Sequence, residues 1–297
     1  MCPNGRPGGK PPAKYAAEIL ARDARPRVGG LQDAKSPRRW RLRALSVYTR
    51  GVSDDYALST GSSTAAERPG IGLYAERGLH AALKAAYAAR PGARMEVPVA
   101  GKVVDVVLPG ELVEVQTRNI GSISDKVLHL ACVMPVRIVH PVVVETLIER
   151  IDPADDSLAS ARKAKTRRDF YSLFDELVRA PLVVASPNVR FDVVLVRVRE
   201  LRIRDGKGSW RRKGDRVLSR DLAEIVSTTS LDTRADWLGL VPSSLPGPYD
   251  SATLGAALGI AAPRARKVLY TLARAGLLEE AGRSGRRKLY GPAGGVS

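Results

Sequence analysis

Three short extended segments, separated by two glycine turns, constrain this chain more than any other feature. Residues 94–99, 102–108 and 111–117 are rich in valine, and the turns lie at residues 100–101 and 109–110. Extended runs of this length, joined by two-residue turns that contain glycine, are typical of β-hairpins. The segment therefore predicts a three-stranded antiparallel meander.

Helical periodicity flanks the meander on both sides. Apolar residues recur at helical spacing from Gly72 to a stop at Pro91, and again over residues 122–132. A further extended run, residues 136–144, follows and is interrupted by Pro141. The order helix, three strands, helix, strand predicts an α/β or α+β domain built on a mixed sheet.

The segment after residue 150 gives weaker signals. Residues 165–179 have the pattern of a basic amphipathic helix, and residues 191–204 alternate as one long strand with its arginines toward solvent. A glycine-rich turn at residues 205–208 predicts a basic hairpin. A connecting helix is expected near residues 232–240, before the C-terminal part of the chain begins.

The C-terminal residues have the pattern of two helices followed by a hairpin. A polar cap at residues 250–251 begins a short helix, Gly259 makes a turn, and Pro263 suits the first turn of a second helix. Gly276 ends that helix. Two short extended runs then enclose a basic tip at residues 283–287.

Composition divides the chain into three parts. Residues 1–69 are rich in proline, glycine, arginine and serine, which predicts a disordered basic leader. Residues 70–245 and 246–297 are expected to form two folded domains, as the length of 297 residues allows. The sequence has neither the roughly 20 apolar residues of a membrane helix nor an apolar signal segment, so the cytoplasm is the expected compartment.

Charge is distributed unevenly along the sequence. The chain carries 48 Lys and Arg against 31 Asp and Glu, a net charge of +17. Residues 160–216 hold 16 basic and 7 acidic groups and residues 249–297 hold 8 and 3, whereas residues 71–150 hold 9 and 8. An arginine-rich genome would spread the excess of basic residues evenly along the chain. An uneven distribution is expected instead if the acids of one segment hold a cation while the basic segments around it hold phosphates. DNA is therefore the expected partner, with homodimer formation left open.

Two carboxylates interrupt the central extended runs. Asp105 lies in a valine-rich run, and Glu114 lies in the next, where the period of two places it on one face with Leu112 and Gln116. An unpaired carboxylate inside a strand is costly. A hairpin would bring Asp105 and Glu114 within reach of one cation, and hard oxygen ligands favour Mg²⁺ or Mn²⁺. Pairing of both acids with neighbouring arginines is the alternative.

This arrangement resembles the PD-(D/E)XK phosphodiesterase superfamily, the fold of many restriction and repair nucleases. There a helix carries Glu, a strand carries Asp and the next strand reads Glu-x-Lys; here Glu76, Asp105 and residues 114–116 occupy those places. The resemblance implies a restriction-endonuclease-like core with Asp105, Glu114 and Glu76 as metal ligands. Gln116 replaces the lysine and would position the attacking water, while Lys126 in the following helix is the candidate for the missing charge.

The C-terminal pattern resembles the winged helix-turn-helix domains of bacterial regulators. In such domains the second helix enters the major groove of DNA and the basic wing lies on the backbone. The resemblance implies DNA contacts from the first turns of the second helix and from the wing tip, namely Arg264, Arg266, Lys267, Arg286 and Arg287. A winged helix used for protein contacts is the alternative.

Three functions follow as expectations. The first is a metal-dependent DNA endonuclease in repair, restriction or defence, to which the winged helix recruits the substrate. The second is an inactive nuclease fold that acts as a DNA-binding regulator, and the third is a partner-dependent module of a defence pair. The sequence has no Gly-x-x-x-x-Gly-Lys-Ser/Thr phosphate loop, so no nucleotide cofactor is expected.

Overall fold

The structure is a computed structural model, and the residues that it describes are 72–155, 157–166, 168–208, 210 and 214–293. The side chains of residues 72–77 and of Lys165 lie outside this description, as does the whole predicted leader, residues 1–69. All of the described residues belong to one compact unit.

The described part of the chain contains seven α-helices and nine strands. The helices are α1 Gly72–Ala88, α2 Ser124–Ala131, α3 Phe174–Leu177, α4 Pro181–Ala185, α5 Arg234–Leu238, α6 Ser251–Leu258 and α7 Ala262–Arg274. The strands are β1 Arg94–Val99, β2 Lys102–Leu108, β3 Glu111–Val115, β4 Val136–Ile151, β5 Leu158–Lys165, β6 Val189–Arg204, β7 Asp215–Leu231, β8 Leu278–Ser284 and β9 Arg287–Pro292. None of the described helices has both the length and the apolar character that crossing a membrane requires.

One mixed sheet organises the fold. Its strand order is β1-β2-β3-β4-β6-β7, and β5 pairs with β4. Strands β1 to β3 form an antiparallel meander, whereas β3, β4 and β6 run parallel to one another. The turns of the meander use Gly101 and Gly110 at φ angles of 75° and 83°, a region that glycine enters without steric cost. The predicted meander and mixed sheet are confirmed, and the fold is α+β.

Helices cover the sheet on both faces. Leu112 of β3 packs in one apolar cluster with Leu130 of α2, whereas its neighbour Val113 packs in a second cluster with Leu83 of α1. Successive side chains of a strand point to opposite faces of the sheet. The helices α1 and α2 therefore lie on opposite faces.

Helix α1 approaches β7 closely at one glycine. A Cβ atom at Gly78 would lie 2.5 Å from Asp221 Oδ1 and 2.8 Å from the carbonyl oxygen of Arg220. Real side chains do not tolerate contacts of this length with a backbone atom. The absence of a side chain at Gly78 thus sets how near α1 lies to the sheet.

Strand β4 is longer than predicted. It runs through Pro141 to Ile151 instead of ending near residue 144. Pairing of β4 with β3 ends at Val139 and pairing with β5 begins at Glu145, so Pro141 lies in the gap between these partners. Proline has no N–H to donate, and this gap does not require one.

The predicted basic helix over residues 165–179 is wrong for most of its length. The chain before Thr166 forms β5 along β4, and helical structure is confined to a 3₁₀ turn at Phe170–Leu173 and to α3. The pattern places Phe170, Leu173, Phe174 and Leu177 on the inward face, and the last three are fully buried whereas Phe170 is partly buried. Strand pairing with β4 outweighs the local helical pattern, which is a weak preference by comparison.

The long strand and the hairpin of the next segment are confirmed. β6 pairs with β7 in antiparallel register over almost its whole length. The side chains of Arg197 and Arg199 are 45% and 59% exposed, as predicted. The side chain of Arg202 is only 13% exposed, because its Nη2 lies 2.6 Å from Glu200 Oε1.

The C-terminal elements follow the predicted order of helix, turn, helix and hairpin. Gly259 and Gly276 adopt φ angles of 67° and 70° after α6 and α7, and β8 pairs with β9 in antiparallel register. The apolar face of α7, including Val268 and Leu272, joins the same cluster as Phe174 of α3. The hydrophobic core therefore runs across the predicted domain boundary at residues 245 and 246.

Candidate functional site

The candidate site lies where β2 and β3 separate. Ladder pairing between these strands covers only Val106 to Leu108 against Glu111 to Val113. Beyond the last pair, the backbone N–H of Val115 donates to Asp105 Oδ2 over 2.9 Å. A carboxylate thus takes the place of a backbone carbonyl at the point where the two strands part.

The alternation of side chains is broken at Asp105. Val104 packs in the cluster on the α2 face and Val106 packs in the cluster on the α1 face, although residues two apart in a regular strand share a face. On the neighbouring strand, Glu96 has a φ angle of 54°. This irregularity turns the Asp105 side chain toward α1.

Asp105 contacts two basic side chains of α1. His80 Nε2 lies 3.5 Å from Asp105 Oδ2, and Lys84 Nζ lies 3.4 Å from Oδ1. Burial opposes ionisation of Asp105, but the hydrogen bonds from His80 and from the Val115 N–H outweigh it and hold the carboxyl pKa below its ordinary value. The hydrogen bond to Asp105 in turn raises the pKa of His80.

Lys84 joins Asp105 to a second acid. Its Nζ lies 2.8 Å from Glu96 Oε1, and the Lys84 side chain is only 9% exposed. Burial opposes the ammonium form, but the hydrogen bond to Glu96 and the charge of Asp105 raise the pKa of Lys84. Lys84 therefore stays charged beside Asp105.

Glu114 is more deeply buried and has one cationic partner among the described side chains. Its own side chain is 5% exposed, and Lys126 Nζ of α2 lies 2.6 Å from its Oε1. Burial raises the carboxyl pKa, Lys126 lowers it, the charge of Asp105 raises it, and the net shift is upward. The charge of Asp105 thus acts on Glu114, but their cationic partners come from α1 and α2 on opposite faces of the sheet. The binding of one cation by both carboxylates therefore stays a prediction.

Gln116 holds the loop that follows β3. Its side-chain Nε2 donates to the carbonyl oxygens of Arg118 and Asn119. Its own carbonyl oxygen accepts a hydrogen bond of 2.7 Å from His140 Nδ1, and burial lowers the pKa of that imidazole. The described contacts of Gln116 are thus with the loop and β4, and its predicted role in positioning water stays a prediction.

The other predicted site residues divide into two groups. Lys126 lies beside Glu114, as its candidate role requires. Glu76 lies in α1 one helical turn before His80, but its side chain is outside the described part. Within the described residues, no group of three or more His, Cys, Asp or Glu side chains could hold a metal ion.

His80 and Lys84 are partners of Asp105 that the sequence pattern did not identify. Both lie on α1 at a spacing of four residues, which places them on one flank beside the buried stripe of Leu79 and Leu83. A lysine next to a buried apolar stripe is a usable signal, since buried ammonium groups are almost always paired. The pattern does not say with which acid it pairs.

The basic residues of α7 have unequal surroundings. Arg264 Nη1 lies 3.1 Å from Asp169 Oδ2, and Lys267 Nζ lies 2.8 Å from Asp175 Oδ1. Arg266, in contrast, is exposed and makes no ion pair with the described residues.

The two basic residues at the hairpin tip also differ from each other. Arg287 Nη1 lies 3.1 Å from Asp250 Oδ2, so it contacts the residue that caps α6. Arg286 is exposed and has no ion pair within the described part. Of the five residues predicted to contact DNA, three therefore form ion pairs, and two form no ion pair with described residues.

Comparison with known proteins places the sheet in a family without an assigned role. A family model described as a domain of unknown function (DUF8091) matches residues 77–232, more than half of the chain. An uncharacterized protein of Treponema pallidum (strain Nichols) is 30% identical over 219 residues, which cover 72% of this chain and 84% of that protein. No solved structure matches.

Proposed function

We propose that this chain, which belongs to the DUF8091 family, binds duplex DNA and hydrolyses its phosphodiester bonds with a divalent cation. The observation that carries the proposal is that Asp105 and Glu114 lie on adjacent strands where β2 and β3 separate, and that Lys126 contacts Glu114 there. The elements around this point follow the order helix, antiparallel meander, helix, parallel strand. That order and these residue types resemble the PD-(D/E)XK nucleases.

In this proposal Lys126 supplies the positive charge of the lysine that the strand motif lacks. Gln116, which occupies that position, is engaged with loop carbonyls, while Lys126 brings an ammonium group to Glu114 from α2. A fixed positive charge beside a phosphoryl group stabilises the negative charge that develops during hydrolysis. We assign this role to Lys126.

Two carboxylates suit magnesium. Mg²⁺ usually keeps several water molecules and takes one or two protein carboxylates, and Asp105 and Glu114 would supply these. When bound there, the cation would lower the pKa of a coordinated water and polarise the scissile phosphate. His80 and Lys84 now contact Asp105, so ligation by that carboxylate has to compete with both groups.

The proposal is tested by plasmid cleavage in Mg²⁺ or Mn²⁺, with EDTA as the blank. Asp105→Ala and Glu114→Ala should abolish cleavage, Lys126→Ala should reduce it strongly, and Lys126→Arg should retain part of it because the charge remains. Gln116→Lys restores the superfamily motif and should keep or raise activity. Lys102→Ala is the matched control, since Lys102 is exposed on β2 and has no ion pair within the described part.

A second candidate is a DNA-binding regulator without hydrolytic activity. The observation that favours it is that Asp105 and Glu114 are each already matched by protein cations. It predicts no cleavage by any variant and no heat of Mg²⁺ or Mn²⁺ binding in calorimetry. Cleavage that persists in the Asp105→Ala, Glu114→Ala double variant would falsify the site assignment.

DNA binding is assigned to the helix-turn-helix and hairpin of residues 250–292, which resemble a winged helix. Point substitutions are the suitable test, because Val268, Leu269 and Leu272 of α7 lie in the common core. Deletion of residues 246–297 would expose that core, so a decrease in binding would not report on the DNA-contacting residues themselves.

A further inference from the structure

Helix α7 carries basic residues on two sides, and these sides differ in what they contact. On the inner side, Arg264 and Lys267 form ion pairs with two acids, Asp169, which caps the 3₁₀ turn before α3, and Asp175 of α3. On the outer side, residues spread over two helical turns are accessible to solvent. We call these outer residues, Arg266, Tyr270 and Arg274, the outer stripe.

The outer stripe follows the repeat of the helix. Its members are spaced by four residues, so they lie within an arc of about 80° and span about 12 Å along the axis. Tyr270 is 43% exposed as a residue, which is unusual for a large ring in a helix that packs on a core. Neither arginine makes an ion pair within the described residues, and no acidic residue belongs to the stripe.

We infer that the outer stripe is the surface of α7 that holds the phosphate backbone of duplex DNA, and that Arg264 and Lys267 are anchors that fix α7 on the core. The inference rests on the proposed DNA binding and names the residues responsible. Two unneutralised guanidinium groups about 12 Å apart can each reach a phosphate, since each DNA strand carries one charge for about every 3.4 Å of helix axis. The Tyr270 hydroxyl between them can donate to a third oxygen.

Arg264 and Lys267 cannot bind phosphates without losing their ion pairs with the core. If Arg264 and Lys267 turned to DNA, Asp169 and Asp175 would be left without these partners at an interface where Arg264 Nε is already buried without a hydrogen bond. The apolar side of α7 is held in the core through Val268, so the helix as a whole stays in place. The side of α7 that remains open to a duplex is the outer stripe.

The test measures duplex affinity of the full chain at several salt concentrations. Fluorescence anisotropy with a labelled duplex of about 20 base pairs gives the slope of log affinity against log salt, and this slope falls by about 0.9 for each phosphate that the protein no longer neutralises. Arg266→Gln with Arg274→Gln should lower the slope by about two and weaken binding at least about tenfold. Arg264→Gln with Lys267→Gln is the matched control and should leave the slope unchanged while lowering the melting temperature.

The outcomes separate this inference from the proposed function. Absence of duplex binding by the unaltered chain would overturn the DNA-binding proposal itself. If the salt slope falls for Arg264→Gln with Lys267→Gln (the anchor variant) but not for Arg266→Gln with Arg274→Gln (the stripe variant), the inference is overturned while the proposed DNA binding stands. Thermal unfolding of both variants checks their folding, and a stripe variant that unfolds early is replaced by Arg266→Ala with Arg274→Ala, which removes the same charges and should lower the slope by the same amount.

Discussion

Two charged clusters include residues of β3, and they differ in how completely their charged groups are paired. Where β3 and β4 begin, Arg137 donates to three carboxylates, with distances of 2.9 Å to Glu111, 2.7 Å to Asp192 and 2.8 Å to Asp232. Where β2 and β3 separate, Asp105 and Glu114 have looser or single cationic partners among the described side chains. We call the first the closed cluster, because one guanidinium joins three carboxylates, and the second the open cluster, because its acids have looser or single partners.

The difference separates charges that hold the fold from the acids to which the proposed function assigns chemistry. In the closed cluster, Asp192 also accepts hydrogen bonds from Tyr87 and Ser230, so both of its oxygens are used. In the open cluster, Lys126 of α2 forms an ion pair with Glu114 of β3. A buried pair that lacks further hydrogen bonds recovers less of its desolvation cost.

The largest expected effect comes from opening the closed cluster. Arg137→Met removes the guanidinium that neutralises both Glu111 and Asp192 within the sheet, and it should destabilise the fold by about 3–5 kcal/mol. Urea unfolding measures the change. Arg190→Ala is the control, because the half-exposed Arg190 contacts Glu111 from the edge of the cluster and should cost about 1 kcal/mol or less. Equal losses of stability in both variants would remove the distinction between the clusters.

A smaller effect is expected at the edge of the same cluster. Tyr87→Phe removes the hydroxyl that donates to Asp192, and burial together with the Asp192 charge raises the pKa of this phenol, so it is a donor at every working pH. The expected loss of stability is about 1–3 kcal/mol in urea unfolding. Tyr171→Phe, which removes a hydrogen bond of 3.2 Å to the Leu240 carbonyl, should cost less. A larger destabilisation by Tyr171→Phe would contradict the comparison.

The smallest effect concerns the open cluster and its response to pH. The folded pKa of Asp105 is lowered from 3.8, so its contribution to stability is complete above that value and is lost as pH falls through the folded pKa. The folded pKa of Glu114 is raised from 4.5, so its contribution is complete below that value and is lost as pH rises through the folded pKa. The two acids therefore depend on pH with opposite sign.

Unfolding free energies measured from acidic to neutral pH reveal these signs. The difference between the unaltered chain and Asp105→Asn should grow with rising pH, whereas the difference from Glu114→Gln should shrink. Leu182→Ala is an exposed control without a titrating group and should give a flat difference. Parallel curves for the two site variants would show that both acids experience the same surroundings.

Much of the sheet could be predicted from sequence because its signals are local. Turn glycines at 101 and 110 favour hairpins, and the register of a short hairpin then follows from its turn. The chain between Leu158 and Lys165 could not be predicted in the same way, since its strand depends on pairing with the end of β4. In that segment, pairing with a strand that is distant in sequence outweighs the local preference for helix.

The candidate site was predictable in its residue types and less so in its geometry. Asp105 and Glu114 stand out as acids in apolar strands, and the hairpin predicts that they lie near each other. The break in alternation beside Glu96 turns Asp105 toward α1, and a positive φ at a glutamate has no reliable sequence signal. The closed cluster could not be predicted for a similar reason, because Arg137 and Asp192 meet only after β4 and β6 pair.

Gly78 has a consequence for how this family can diverge. Any larger residue there would lift α1 from β7, because even a single carbon meets the Arg220 carbonyl at 2.8 Å. His80 and Lys84 lie on the same helix, so the lift would withdraw both from Asp105. Relatives that replace this glycine should therefore also change the two basic positions or the aspartate, and such linked changes would mark branches in which the site has been rebuilt or abandoned.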